Sequence, residues 1–152
     1  MVVIKSFVVS MPQDIFTAML EHVVAGYPNE ACGALGVKDN RVVKHYPTPN
    51  AAEHPDDFSI IDPGELLHIY EDIDGYDGEM IYYHSHPKSE AYPSKRDKEW
   101  AIRNKLYYII FSHQCYPEPP YARVFWINDD ESVVEGEIKI ISSMNIEQPG
   151  FC

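Results

Sequence analysis

One segment of this chain, EMIYYHSHPKSEAYPSKRD at residues 79–97, restricts the possible fold more than any other. Its first part is rich in apolar and aromatic residues and stops before Pro87, which predicts a strand over 79–86. Ser94 stands where a helix N-cap is expected, and the residues that follow it to about Asn104 predict a helix. The loop between these elements is long enough for the start of the helix to fold back over the end of the strand.

Two histidines and an aspartate in this segment form a candidate metal site. Side chains two apart on a strand point to the same face, so His84 and His86 project together and Ser85 points the other way. Imidazole nitrogens on a rigid strand suit Zn²⁺, whose bonds to nitrogen of about 2.0–2.1 Å require both rings to converge. Asp97, in the first turn of the predicted helix, is a strong candidate for the third ligand. These ligands would leave one position of a tetrahedral ion open for water, as in catalytic sites.

Each part of this pattern has an ordinary structural explanation when it is taken alone. A histidine pair on a strand is more often a polar surface feature, and Ser94 with Asp97 is more often a plain helix cap. The complete pattern, in a context that brings the side chains together, favours a metal site. A water on the metal would need a proton acceptor, and Glu30, which opens the predicted strand 30–37, is the best unassigned carboxylate. Spacing alone does not separate Glu30 from the other acidic residues.

The remainder of the chain predicts a single α/β (α+β) domain. Further elements are predicted as a strand at 2–9, a helix from the N-cap Ser10 to about Gly26, a hairpin of 30–37 and 41–48, a helix at 62–73, a strand at 106–112 and a hairpin of 121–128 and 132–141. We therefore expect a mostly antiparallel mixed β-sheet flanked by about three helices. Residues 1–142 would form this domain, and residues 143–152, which lack any periodic pattern, would form a C-terminal tail.

The charge of the chain limits the classes of binding partner that we expect, and its cysteine content predicts the cellular compartment. The chain has 24 Asp and Glu against 12 Lys and Arg, a net charge of −12, which disfavours nucleic acid and anionic membrane surfaces as partners. No apolar run approaches the length needed to span a membrane. The three cysteines, Cys32, Cys115 and Cys152, are widely separated and form no disulfide framework, which predicts a reducing, cytoplasmic location.

The segments NEACGALG and HSHPKSEAYPSKRD together resemble the JAMM (MPN-plus, Mov34/Pad1) zinc metallopeptidase family, small prokaryotic type. That family's pattern is an upstream glutamate followed by H-[ST]-H-P-x6-S-x2-D, and the resemblance covers roughly residues 5–140. It implies the JAMM/MPN (cytidine-deaminase-like) fold and one Zn²⁺ per chain, bound by His84, His86, Asp97 and a water. It also implies that Glu30 is the general acid/base and that the Ser94 hydroxyl stabilises the oxyanion.

The same resemblance implies a substrate class. Members hydrolyse an amide bond at the C-terminal glycine of a ubiquitin-like or sulfur-carrier protein with a Gly-Gly tail, using a zinc-activated water. Asn50, in the loop 49–58, and Tyr92, in the loop 87–93, are predicted to contact this substrate. One alternative is a JAMM-fold zinc hydrolase of another substrate, similar to RadC, which the acidic charge disfavours. The other is a non-catalytic MPN scaffold, a type that typically loses the ligands this chain keeps.

Overall fold

The structure is a computed structural model that describes residues 6–114 and 118–141. Within these ranges it contains three helices and eight strands, which together form one domain. In chain order they are β1 (Val8–Pro12), α1 (Gln13–Gly26), β2 (Cys32–Lys38), β3 (Arg41–Thr48), α2 (Pro63–Asp74), β4 (Glu79–His86), α3 (Lys95–Asn104), β5 (Tyr107–Ser112), β6 (Tyr121–Ile127), β7 (Val133–Glu135) and β8 (Glu137–Ile141). None of these helices is long and apolar enough to cross a membrane.

All the strands belong to one sheet, with the order β7-β6-β5-β4-β2-β3-β1-β8. The pairs β4–β5, β1–β3 and β1–β8 are parallel, and the other four neighbouring pairs are antiparallel. This confirms the mostly antiparallel mixed sheet with three helices. Gly136 alone separates β7 from β8, which lie at opposite ends of the strand order, so the sheet must curl until its two edges are adjacent. A Cβ at Gly136 would collide with the ring of Phe7.

The alternating side chains of β4 divide the core between the two faces of the sheet. Ile81 and Tyr83 pack with the buried residues of α1 in one cluster. Met80 contacts the buried side of α2, and Tyr82 lies in a cluster with Ala101 of α3. Full burial of an apolar side chain of this size contributes about 1.5–3 kcal/mol, so both helical layers hold β4 firmly in place. Because the same alternation continues along the strand, His84 emerges on the face covered by α2 and α3.

The structure corrects the predicted start of α1. Ser10 and its neighbours belong to β1, where Ser10 is the partner of Lys139 in a parallel ladder with β8. The helix begins at Gln13, and Pro12 occupies the N-cap position without a side-chain hydrogen bond. The predicted Ser10 cap is therefore wrong, because pairing with a strand far along the chain takes these residues into the sheet.

The C-terminal hairpin is also organised differently from the prediction. The predicted strand 132–141 is divided at Gly136 into β7, which pairs with β6, and β8, which pairs with β1. The predicted tail at 143–152, with Cys152, lies outside the described residues, as does Cys115. The predicted domain boundary at residue 142 consequently stays a prediction.

Candidate metal centre

A reciprocal capping box between Ser94 and Asp97 defines the start of α3. The Asp97 backbone N–H donates to Ser94 Oγ at 3.1 Å, and the Ser94 backbone N–H donates to Asp97 Oδ2 at 2.9 Å. His84 and His86, near the C-terminal end of β4, are 1% and 6% exposed. The loop between β4 and α3 thus returns the chain so that Asp97 faces both imidazole rings.

Three ligand atoms converge at this point. His84 Nε2 lies 3.1 Å from His86 Nε2, and Asp97 Oδ2 lies 3.3 and 3.2 Å from these two nitrogens. A tetrahedral ion with bonds of about 2.0 Å has ligand atoms about 3.3 Å apart, so the triangle has the size that Zn²⁺ requires. No other group of three or more His, Cys, Asp or Glu side chains among the described residues could hold a metal.

The protonation states of the ligands suit a metal. His86 Nδ1 lies 2.8 Å from the Glu90 carbonyl, which can only accept, so Nδ1 carries the proton and Nε2 presents its lone pair. Burial opposes the charged form of Asp97, but the two histidines and the Ser94 N–H outweigh it and hold the pKa of Asp97 well below its usual range. The carboxylate is therefore ionised. Nδ1 of His84 is buried and has no hydrogen-bond partner among the described residues.

Strand register selects Glu30 from the acidic residues of the chain. Cys32 is the partner of His84 in the antiparallel β2–β4 ladder, so Glu30, two residues earlier, lies level with His86. Its backbone is held from two directions: its N–H donates to the Pro55 carbonyl at 2.7 Å, and its carbonyl accepts from the Asn50 side chain at 2.9 Å. Burial raises the pKa of Glu30 despite the nearby imidazoles, which lower it.

Ser85 joins β4 to the segment that carries Glu30. Its hydroxyl accepts a hydrogen bond from the Ala31 N–H at 2.8 Å, and its own N–H donates to the Ala31 carbonyl at 3.0 Å. Ser85 is fully buried on the side opposite the two histidines. One strand thus supplies two candidate ligands from one face and, from the other, an anchor for the segment that carries Glu30.

A cavity of about 350 Å³ opens beside the ligand atoms. Its lining includes Glu30, His86, Ser94 and Asp97 together with Phe58, Ser59, Tyr82, Arg96, Trp100 and Tyr108. The rings of Tyr82 and Trp100 lie 5.1 Å apart, and the Tyr82 hydroxyl is 2.8 Å from Ser59 Oγ. The Ser94 hydroxyl uses its oxygen as the acceptor of the cap, which leaves its hydrogen available to a group in the cavity.

The two residues predicted to contact substrate have different surroundings. The Asn50 amide nitrogen donates to the carbonyls of Glu30 and Phe58 at 2.9 and 2.8 Å, and its oxygen accepts from the N–H groups of Ala52 and Ile60 at 3.0 and 3.1 Å. These bonds use its whole hydrogen-bonding capacity within the loop. Tyr92 is 38% exposed and packs edge-on against Phe125, with ring centroids 5.6 Å apart.

Sequence reasoning named Phe58 only as a possible wall of the substrate site, and it predicted neither the contact between Phe58 and Arg96 nor the role of Ser85 as an anchor. The guanidinium carbon of Arg96 lies 4.1 Å from the centre of the Phe58 ring. A signal for Arg96 was present, because Lys95 and Arg96 form a cationic pair directly after a helix cap in an acidic chain. Nothing in the local sequence indicates that Phe58, in a distant loop, is the partner.

Comparison with known proteins gives this arrangement a family context. Residues 12–128 match the family model described as prokaryotic homologs of the JAB domain. The chain is 33% identical over 109 residues to the CysO-cysteine peptidase of Mycobacterium tuberculosis, spanning 70% of this chain and 74% of that protein. It is 32% identical over 128 residues to the desampylase of Haloferax volcanii, spanning 80% of this chain and 89% of that protein.

The fold is likewise similar to a solved structure. A protein from Desulfitobacterium hafniense, determined in solution, matches with a TM-score of 0.75 and 31% sequence identity. The match covers 91% of this chain and 96% of that one. The two proteins therefore share the fold over most of this chain.

Proposed function

Because the chain belongs to the family of prokaryotic homologues of the JAB domain, we propose that it is a zinc metallopeptidase. Its substrate in this proposal is an amide bond at the C-terminal glycine of a ubiquitin-like or sulfur-carrier protein with a Gly-Gly tail. The observation that carries the proposal is the triangle of ligand atoms of His84, His86 and Asp97, 3.1–3.3 Å apart. A non-catalytic scaffold would have no reason to keep these three atoms converged together with a carboxylate of raised pKa.

Zn²⁺ bound by these three side chains would lower the pKa of a water and polarise the amide carbonyl. Glu30 lines the same cavity, and the raised pKa of its carboxyl suits it to take a proton from the nucleophile and pass it to the departing amine. Ser94 donates its free hydroxyl hydrogen to the carbonyl oxygen as negative charge develops there. The aromatic side chains of the cavity exclude water around the reacting bond.

Cysteine chemistry has no part in this mechanism. Cys32 is fully buried, and its sulfur faces the hydroxyl of Thr48 at 3.5 Å. Burial raises the pKa of the Cys32 thiol, so the sulfur stays protonated and is a poor nucleophile. No covalent acyl intermediate is expected. The cytoplasmic location predicted from the sequence is part of the same proposal.

The relatives support the choice of substrate class. One is named CysO-cysteine peptidase and another desampylase. Both names describe removal of a group, consistent with the carrier or modifier substrates implied by the sequence resemblance. Asn50 serves in this proposal to shape the loop and hold Glu30, since its amide is saturated. Tyr92 remains a proposed contact through its exposed ring.

Metal analysis combined with a cleavage assay tests the proposal. The purified protein, the Asp97→Ala variant and the Glu30→Gln variant are each loaded with Zn²⁺, desalted, and mixed with a sulfur-carrier protein extended by one cysteine. We expect one zinc per chain in the first and third proteins, and cleavage by the first alone. Zinc without cleavage of this or a ubiquitin-like substrate would refute the peptidase. A folded protein that takes up no zinc would refute the metal site and with it the enzyme.

A further inference from the structure

Arg96 is a cation at the active-site cavity that the proposed chemistry does not use. It lines the cavity beside Lys95, and its guanidinium is stacked on the ring of Phe58. Among the described residues no carboxylate lies within ion-pair distance of it. A guanidinium stacked through its face keeps its N–H edge free, and this edge matches a carboxylate through two parallel hydrogen bonds.

The position of Arg96 is held from both sides. It lies in the first turn of α3, which the Ser94–Asp97 capping box fixes in place. Phe58 belongs to a loop whose carbonyl groups are bound by the Asn50 amide, including that of Phe58 itself at 2.8 Å. The stacking interaction contributes about 0.5–1 kcal/mol at an exposed site, which is enough to favour one orientation of the side chain.

An anionic group could bind in this cavity only if positive charge lay close to it. The chain carries a net charge of −12, and the cavity lining already contains the carboxylates of Glu30, Asp57 and Asp97. A carboxylate of the substrate would be repelled from such a cavity unless a cation faced it. Lys95, Arg96 and the N-terminal end of the α3 dipole place positive charge on one side of the cavity. The cavity is small, near the lower limit of ligand pockets of about 300–1,000 Å³, and suits a single residue.

The two kinds of leaving group that the proposed peptidase could release differ in whether a carboxylate lies next to the departing amine. A single amino acid released from the carrier's terminal glycine bears an α-carboxylate next to the departing amine. A lysine side chain in an isopeptide bond has no carboxylate near its amine. We propose that Arg96 binds the α-carboxylate of a single C-terminal amino acid, an inference that rests on the proposed function. The enzyme would then prefer one-residue extensions to isopeptide bonds.

A pair of substrates that differ only in this carboxylate tests the inference. One is the carrier tail extended by cysteine with a free C-terminus, and the other is the same extension as a C-terminal amide. The ratio of the two kcat/KM values is measured for zinc-loaded wild type, Arg96→Gln and Lys98→Gln. This ratio does not depend on the fraction of active protein, because both rates scale with it. Lys98 is a matched control because it lies on the same helix, with its ammonium 5.7 Å from the Tyr92 ring, outside the cavity lining.

We expect wild type to prefer the free acid by about 10- to 100-fold, the size of one charge-assisted hydrogen-bonding interaction. Arg96→Gln should reduce this ratio to within about two-fold of unity, while Lys98→Gln retains it. Equal rates on both substrates in wild type, or an undiminished preference in Arg96→Gln, would overturn the role of Arg96 and leave the peptidase intact. Failure of wild type to cleave either substrate would overturn this inference, and failure on a ubiquitin-like isopeptide substrate as well would overturn the proposed function.

Discussion

The Ser85 hydroxyl links the strand that carries the candidate ligands to the segment that carries Glu30. In a Ser85→Ala variant, the Ala31 N–H loses its acceptor at 2.8 Å. Ala31 and Ser85 are 5% and 0% exposed, so water cannot replace the lost acceptor without disturbing the packing. Leaving a buried donor unsatisfied costs about 1–3 kcal/mol, so the free energy of unfolding should fall by that amount.

Urea denaturation of the variant and the wild type, with matched zinc loading, measures this difference. In a domain of this size 1 kcal/mol corresponds to about 2–4 °C in Tm, so the melting temperature should fall by about 2–12 °C. The control is Ser6→Ala, which removes the same atoms from an exposed position and should change stability by less than about 0.5 kcal/mol. Because Ala31 adjoins Glu30, kcat on the carrier substrate should fall as well. An unfolding free energy equal to that of Ser6→Ala would refute the reasoning.

Three further substitutions test other parts of the structure. Asp97→Asn keeps the shape of the side chain but removes its charge, so zinc affinity measured by chelator competition should fall about 10- to 100-fold or more, and an unchanged affinity would exclude Asp97 as a ligand. Asn50→Ala removes four loop hydrogen bonds shorter than 3.2 Å and should lower the unfolding free energy by about 2–4 kcal/mol; a loss below about 0.5 kcal/mol would contradict the role of Asn50 in the loop. Gly136→Ala places a methyl group against the Phe7 ring and should cost about 1–3 kcal/mol, with partial recovery in the Phe7→Leu background; no recovery there would show that the cost arises elsewhere.

Short-range signals were enough to predict the elements around the candidate site. Pro87 ends β4 because it cannot continue the ladder, and Ser94 caps α3 as predicted, with its side chain bonded to the backbone of Asp97. The turn between β2 and β3 was also predicted from the sequence. In the structure its residues Asp39 and Asn40 adopt positive φ values of 54° and 62°. Asn and Asp tolerate this conformation better than other side chains. In each case the decisive interaction joins residues only a few positions apart.

The tertiary structure decided which distant residues meet. Glu30 could not be separated from the other acidic residues by spacing, and the pairing of Cys32 with His84 placed it level with the candidate ligands. The contact of Arg96 with Phe58 likewise depends on how the loop before α2 folds over α3. These arrangements follow from the register of the sheet and the packing of the loops, which no local pattern encodes.

The sequence by itself determined the local geometry of the strand, cap and helix that bring His84, His86 and Asp97 together. It misplaced Ser10, because a reasonable capping pattern there competes with a parallel ladder to residues near Lys139, and the ladder prevails in the folded chain. Local signals act through hydrogen bonds within one or two turns, whereas strand order and loop packing depend on contacts between segments that are far apart in the chain. For that reason the candidate metal ligands could be predicted from the sequence, while the surroundings of Glu30 and Arg96 required the fold.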